Sequence, residues 1–281
     1  MFRFWKRTRD PAAAVWPEPV ASLESDVGCH RQLNEDSSRI LRAGRGKHGD
    51  RGLLMVVADG MGGHEAGEVA SQTAVETIQQ EYPAAKGSPG EALEAAFRMA
   101  HQCIRRLAEA NPAMSGMGTT CTAVAITGAE AWAAHVGDSR LYLVREKEIY
   151  QLSEDHTQCM ELVRKGVLTL EQARQHEDRN VLVRAMGSRQ ELELMRWPEP
   201  MAVRPGDAFL LCSDGLHDLI ADIEMRDVLL GAEPEEACRK LIRMARERGG
   251  YDNITVGVVA VPIREEGRQG LRETRQFEVA E

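Results

Sequence analysis

Apolar positions in this chain form two kinds of run. LLMVVA at 53–58, AFLLCS at 208–213 and ITVGVVAV at 254–261 are continuous aliphatic or β-branched stretches of strand length. That is the pattern of strands buried on both faces. TTCTAVAI at 119–126 and AWAAHV at 131–136 are parted by TGAE, which contains Gly128 and reads as a hairpin turn. RLYLVR at 140–145 and EIYQL at 148–152 make a second hairpin. Elsewhere the spacing is helical. Residues 66–82 place Val69, Val75, Ile78 and Tyr82 at roughly helical intervals. In 90–110, Leu93, Phe97, Ile104 and Leu107 join Ala96, Ala100 and Ala108 in one stripe that Asn111-Pro112 ends. Residues 235–248 repeat the device with Cys238, Leu241, Ile242 and Ala245 before Gly249-Gly250.

The order of these elements predicts the fold class. Consecutive hairpins mean antiparallel sheet, and long amphipathic helices need a sheet face to cover. A doubly wound parallel fold would need helices between nearly all strands, and 119–152 offers none. The expectation is an α+β sandwich, sheets inside and helices outside. Residues 1–22, with Pro11, Pro17 and Pro19, read as a flexible arm, residues 264–281 as a polar tail, and 23–263 as one domain.

Composition narrows the chemistry. A net charge of −9 argues against a nucleic-acid binder. No apolar run approaches the ~18–20 residues of a membrane span. The basic start MFRFWKRTRD has no apolar stretch behind it, so it does not read as a signal peptide. It reads as a loose terminal arm, or as one that touches an anionic membrane or a partner. The six cysteines show no C-x-x-C spacing, and Cys121 and Cys212 lie in apolar runs. Free buried thiols and a reducing cytoplasm are expected.

Five aspartates stand at the ends of apolar runs beside a glycine or another carboxylate: Asp36, Asp59, Asp138, Asp214 and Asp252. Carboxylates at strand mouths are poorly placed for packing and well placed to hold a hard cation. Asp59 enters G-M-G-G-H, where glycine lets a backbone carbonyl approach a ligand. Oxygen-rich ligation suits Mg²⁺ or Mn²⁺ over zinc. Alone, each piece has a plainer reading. Asp-Gly after a strand is an ordinary turn, Glu35-Asp36 a solvated acidic turn, Arg31 a surface residue and Asp138 a structural turn residue.

Together the segments VGCHRQLNEDS, VVADGMGGHEAGEVAS, GMGTTCTAV, HVGDSRLYLV, LSEDHT, NVLVRAMG, FLLCSDGLHDLI and DNITVGVV, in this order over about residues 23–262, resemble the metal-dependent protein phosphatases of the type 2C (PPM) family, bacterial branch. The resemblance implies a four-layer α-β-β-α sandwich with two central antiparallel sheets. It implies two Mn²⁺ or Mg²⁺ ions held by Asp36, Asp59, the Gly60 carbonyl, Asp214 and Asp252, with Asp59 bridging. Glu35 would act through water, Arg31 would grip the substrate phosphate, and Asp138 with Asp214 would hold a weaker third metal. Residues about 155–185 would include a variable flap beside the site.

The implied reaction is hydrolysis of phosphoserine and phosphothreonine in proteins by a water bridging two metals, with no phosphoenzyme and no C-x₅-R loop. A cognate serine/threonine kinase and a monomeric, cytoplasmic enzyme go with it. Where eukaryotic members often carry a histidine as proposed general acid, this chain has Met61, and the role does not transfer to His64. Thr119 and Thr120 have hydroxyls suited to bonding the cleft backbone at a strand start. The alternative is a non-catalytic phosphatase-like module that binds a phosphoprotein or scaffolds a complex; the intact acid set argues against it.

Overall fold

The computed structural model describes residues 16–46, 49–62 and 66–263. The chain opens with β1 (Val20–Asp26) and β2 (Asp36–Arg42), passes the short pair β3 (Arg45–Gly46) and β4 (Gly49–Asp50), and enters β5 (Leu53–Met61). Helices α1 (Ala66–Ala84) and α2 (Pro89–Ala110) precede β6 (Gly118–Thr119), β7 (Cys121–Thr127), β8 (Glu130–Val136), β9 (Arg140–Arg145) and β10 (Glu148–Gln151). Then come α3 (Gln158–Arg164), α4 (Leu170–Arg174), β11 (Met195–Arg196), β12 (Met201–Ala202) and β13 (Ala208–Cys212). Helices α5 (Asp214–His217), α6 (Asp222–Gly231) and α7 (Pro234–Glu247) lead to β14 (Ile254–Ala260).

Two antiparallel sheets result. One runs β1-β14-β13-β9-β10; the other runs β11-β8-β7-β5-β2, with β12 also on β8 and β6 on β5. The continuous apolar runs explain the layering, because successive strand residues face opposite sides. In β5, Leu53, Met55 and Val57 enter the core between the sheets with Val124, Leu141, Phe209 and Val259. The alternate residues Leu54, Val56 and Ala58 pack against α1 and α2 through Ile78, Leu93 and Phe97. On the outer face of the other sheet, Leu210, Cys212, Val256 and Val258 meet Leu216, Val228, Leu241 and Ile242 of the α5–α7 layer. Each such fully buried Leu, Val or Phe contributes about 1.5–3 kcal/mol over an exposed one. The four-layer sandwich is therefore written into strands that are apolar on both faces.

Some boundaries differ from expectation. β1 begins at Val20, inside the segment read as an arm, and pairs with β14 from Val20↔Ala260 to Asp26↔Ile254. Trp16 also packs against the inter-sheet core. The folded unit thus starts earlier than residue 23, because an edge strand with mixed polarity gains its order from its partner and not from its own pattern. β5 continues through Asp59 and Gly60, where a turn was expected, since β6 pairs Gly60↔Thr119. The run at 119–126 is split at Thr120 into β6 and β7. The expected flap holds α3 and α4, pinned at its base by an isolated bridge between Thr157 and Leu182. Most of the arm (residues 1–15), the tail after 263 and His64 lie outside the described residues.

Candidate active site

The cleft forms where the two sheets meet at one end. Asp36 opens β2 opposite Asp59 on β5, so the ladder places two carboxylate-bearing residues side by side. Asp36 is buried, and its Oδ2 accepts hydrogen bonds from Ser213 Oγ and Thr255 Oγ1, both at 2.7 Å. These hydroxyls belong to the other sheet, so Asp36 ties the sheets together at the cleft. Ser213 stands at the N-cap position of α5, whose first residue is Asp214, with its hydroxyl turned to Asp36 and not to the helix.

Asp59 is positioned through its backbone. Its N–H donates to Thr120 Oγ1 at 2.9 Å, and its carbonyl accepts from Thr119 Oγ1 and from the Thr120 N–H, both at 2.8 Å. The Thr120 hydroxyl also bonds Ser139 Oγ at 2.6 Å. Thr119 and Thr120 therefore lock the cleft backbone, as their place at a strand start suggested.

The loop before β2 is held by Asn253. Its Oδ1 accepts from the Glu35 N–H at 2.7 Å, and its Nδ2 donates to the carbonyls of Val27 and Leu33. Gly60 lies so close beneath that a Cβ there would stand 2.0 Å from the Gly67 carbonyl oxygen and 2.7 Å from that of Glu35. Any other residue would force the loops apart.

Arg31 does not stand free. Its Nη2 donates to Asp252 Oδ2 at 2.7 Å, and Nη1 lies 3.4 Å from Glu35 Oε2. The Arg31 side chain is 46% exposed and sits at the cleft mouth. Asp138 is buried in the turn after β8. His217 Nε2 donates to its carbonyl at 3.1 Å, and the neighbouring Gly137 N–H donates to His156 Nδ1. Asp138 also lines a cavity of about 330 Å³ under α3 and α4, with Arg140, Asp155, Asn180 and Asp218.

The electrostatics are those of a site short of positive charge. Burial, then the charges of Asp214 and Asp252, push Asp36 up to about 7 despite its two hydroxyl donors. Asp59 is raised well above the usual carboxylate range by burial and by Asp36, Asp214, Asp138 and Asp252. Asp138 and Asp214 are raised for the same first reason, burial, to which the charge of Asp214 adds at Asp138 and that of Asp252 at Asp214. Asp36, Asp59 and Asp214 are each raised in part by the charge of Asp252, and Asp59 and Asp138 by that of Asp214, as acids sharing one cleft would be. Asp36 Oδ1, Asp214 Oδ1 and Glu35 Oε1 are buried without a hydrogen-bond partner. Buried oxygens without donors are costly unless something else satisfies them.

This donor set fits hard divalent cations: carboxylate oxygens, three of them buried without a hydrogen-bond partner. Among the described residues, no group of three or more acidic, histidine or cysteine side chains is gathered closely enough to enclose an ion.

Sequence reasoning missed Ser213, Thr255, Asn253, Ser139 and His217. Each stands within or next to a noted segment, and the available signal was a polar residue in or beside an apolar strand run.

The antiparallel double sandwich with an acid cleft at one end defines a class of phosphatases, and comparison with known proteins agrees. The protein phosphatase 2C profile matches residues 31–251. The chain belongs to the protein phosphatase 2C family. The serine/threonine protein phosphatase PstP of Mycobacterium tuberculosis is 38% identical over 243 residues, which cover 85% of this chain. This chain spans only 44% of that relative's length. Protein phosphatase PhpP of Streptococcus pneumoniae is 35% identical over 249 residues, covering 85% of this chain and 96% of the relative. The catalytic domain of PstP, solved in complex with two manganese ions, superposes with a TM-score of 0.75 at 36% identity over 87% of this chain and 99% of that one. No helix among the described residues is long and apolar enough to cross a membrane.

Proposed function

We propose that this chain is a metal-dependent phosphatase that hydrolyses phosphoserine and phosphothreonine in proteins. The carrying observation is the set of clustered carboxylates, Asp36 and Asp138 buried and Asp59, Asp214 and Asp252 half-buried, in which one oxygen each of Asp36 and Asp214 lacks a partner, with Arg31 at the mouth. Asp36, Asp59, the Gly60 carbonyl, Asp214 and Asp252 would hold two Mn²⁺ or Mg²⁺ ions, and Asp138 with Asp214 a weaker third. Glu35 would act through a water. When bound, such cations supply Lewis acidity, lowering the pKa of water and neutralising charge on the phosphoryl oxygens. A relative solved with two manganese ions supports this assignment.

The remaining chemistry belongs to the chain. Arg31 carries the positive charge and the forked donors that match a phosphate. Its present bond to Asp252 holds it at the cleft until substrate arrives, and substrate binding requires that guanidinium to exchange carboxylate oxygens for phosphate oxygens. Ser213 and Thr255 fix the Asp36 rotamer, and Thr119 and Thr120 fix the Asp59 backbone, so both carboxylates are oriented beforehand. The reaction needs no side-chain nucleophile: the buried thiols of Cys121 and Cys212 are pushed far up by desolvation and cannot serve as thiolates.

The substrates are phosphoproteins made by a cognate serine/threonine kinase, and the enzyme works as a monomer in the cytoplasm. The free cysteines support a reducing compartment. Hydrolysis of a phosphothreonine peptide with added Mn²⁺, and its loss in EDTA, tests the reading. A chain that binds a phosphoprotein in EDTA and never turns it over would be a scaffold instead.

A further inference from the structure

Beside the carboxylate cleft stands an aromatic pair for which the phosphatase reading has no use. The His30 ring stacks on the Tyr251 ring with centroids 5.1 Å apart and planes 30° from parallel. His30 precedes Arg31 and Tyr251 precedes Asp252, the two residues joined by the 2.7 Å ion pair at the cleft mouth. Tyr251 is 62% exposed, so core packing does not account for the stack. The backbone behind it is shaped to receive the ring. Gly249 and Gly250 have φ of +122° and +53°, and a Cβ on Gly249 would lie 2.5 Å from Tyr251 Cε2. A side chain there would push the ring from its place.

An open groove adjoins the pair. It is lined by Cys29, the neighbour of His30, and by Ile242, Arg243, Arg246, Glu24 and Glu247. Arg246 is engaged by Asp26 at 2.6 Å, and Arg239, also on this groove, by Glu235 at 2.6 Å. Glu24 and Glu247 have no ion pair among the described residues, and Arg243 is the one basic side chain of the groove in the same condition. Glu247 stands two residues before Gly249, whose backbone lies against the Tyr251 ring, so a solvent-facing carboxylate and an exposed aromatic pair share this end of α7. That combination suits a guanidinium, which is planar, weakly hydrated and stacks on rings while its edge bonds a carboxylate.

We propose that His30 and Tyr251 form a platform for an arginine side chain flanking the phosphorylated residue of the substrate, with Glu247 as its charge partner. This preference rests on the phosphatase reading above. The platform adjoins Arg31 and Asp252 by one residue each, and an extended peptide advances about 3.3 Å per residue. The arginine is therefore expected close to the phosphoresidue in sequence.

The test is kcat/KM on phosphothreonine peptides with Mn²⁺, one arginine being scanned through three positions on each side of an otherwise alanine-flanked sequence. The native enzyme is expected to favour arginine at one or two positions by about three- to tenfold. Tyr251→Ala should erase the preference, Tyr251→Phe should keep it, and His30→Ala and Glu247→Gln should weaken it. Thermal melting of each variant checks that it is folded. Equal kcat/KM across the panel or a preference unchanged in Tyr251→Ala overturns the proposal alone. Absence of turnover on every peptide overturns the phosphatase reading and the platform with it.

Discussion

Asp36 and Asp59 are direct partners at the cleft end of the β2–β5 ladder. Like charges facing each other across strands destabilise a sheet, and burial raises the cost. The metal-free fold therefore contains a repulsion that a bound cation relieves. Asp36→Asn or Asp59→Asn is expected to raise the Tm of EDTA-treated protein by a few degrees, about 2–4 °C per kcal/mol at this size. Both variants should lose phosphopeptide hydrolysis and the Mn²⁺-induced rise in Tm. A lower Tm in EDTA for both would contradict the picture of stored repulsion.

The same repulsion has a pH signature. Asp36 is raised from 3.8 to about 7 in the folded state. A raised folded-state pKa gives stability that is complete below the unfolded value and disappears as pH climbs through the folded one. Buried His135 and His156 work oppositely, lowered from 6.5 to about 4 and about 3. Their contribution is present above 6.5 and lost as pH falls below it. The carboxylate effect is thus isolated above pH 6.5. Melting in EDTA should show Tm falling from pH 6.5 to 8, with Mn²⁺ removing the fall and Asp36→Asn shrinking it.

Ser213 and Thr255 act on Asp36 without reaching the substrate. Removing either donor frees the carboxylate to rotate and leaves Oδ2 less satisfied. Ser213→Ala or Thr255→Val should weaken Mn²⁺ affinity or kcat by about 10–100-fold, the usual scale for partners of a metal ligand. Calorimetric titration of Mn²⁺ separates this from simple unfolding. Affinity and kcat equal to the native values would remove both residues from the site.

Gly60 offers a steric test. A methyl at this position meets the Gly67 carbonyl at 2.0 Å. Gly60→Ala should separate the Glu35 loop from α1, lower Tm and abolish Mn²⁺ binding. A native melt with native Mn²⁺ affinity would refute the close approach.

Asp138 should differ in degree from the core acids. Asp214→Ala or Asp252→Ala is expected to stop turnover at any Mn²⁺ concentration. Asp138→Ala should impair turnover and leave the tighter Mn²⁺ binding event intact in calorimetry. If Asp138→Ala removed all Mn²⁺ binding, the division between core and third-site acids would fail.

Much of the fold was legible locally. β5, β13 and β14 are apolar on both faces, so their runs announced strands that are covered twice, RLYLVR announced β9 as a hairpin strand, and the stripe on α2 announced its buried face. The acids Asp36, Asp59, Asp138, Asp214 and Asp252 stood out because a charge beside a buried run needs a reason. β1 and β2 were not legible, because mixed edge-strand sequences take their conformation from pairing. The strand passing through Gly60 was read as a turn for a similar reason: only the opposite strand, β6, holds it extended.

The sequence by itself determined which residue types are present for chemistry and which segments must be buried, since both follow from side-chain polarity at each position. Tertiary structure decided the relationships. Arg31 meets Asp252 across 221 positions, and Asp36 receives hydroxyls from Ser213 and Thr255, 177 and 219 positions away. Contacts over such separations arise from sheet register and loop packing, which no local pattern encodes. They turn five scattered aspartates into one charged cleft.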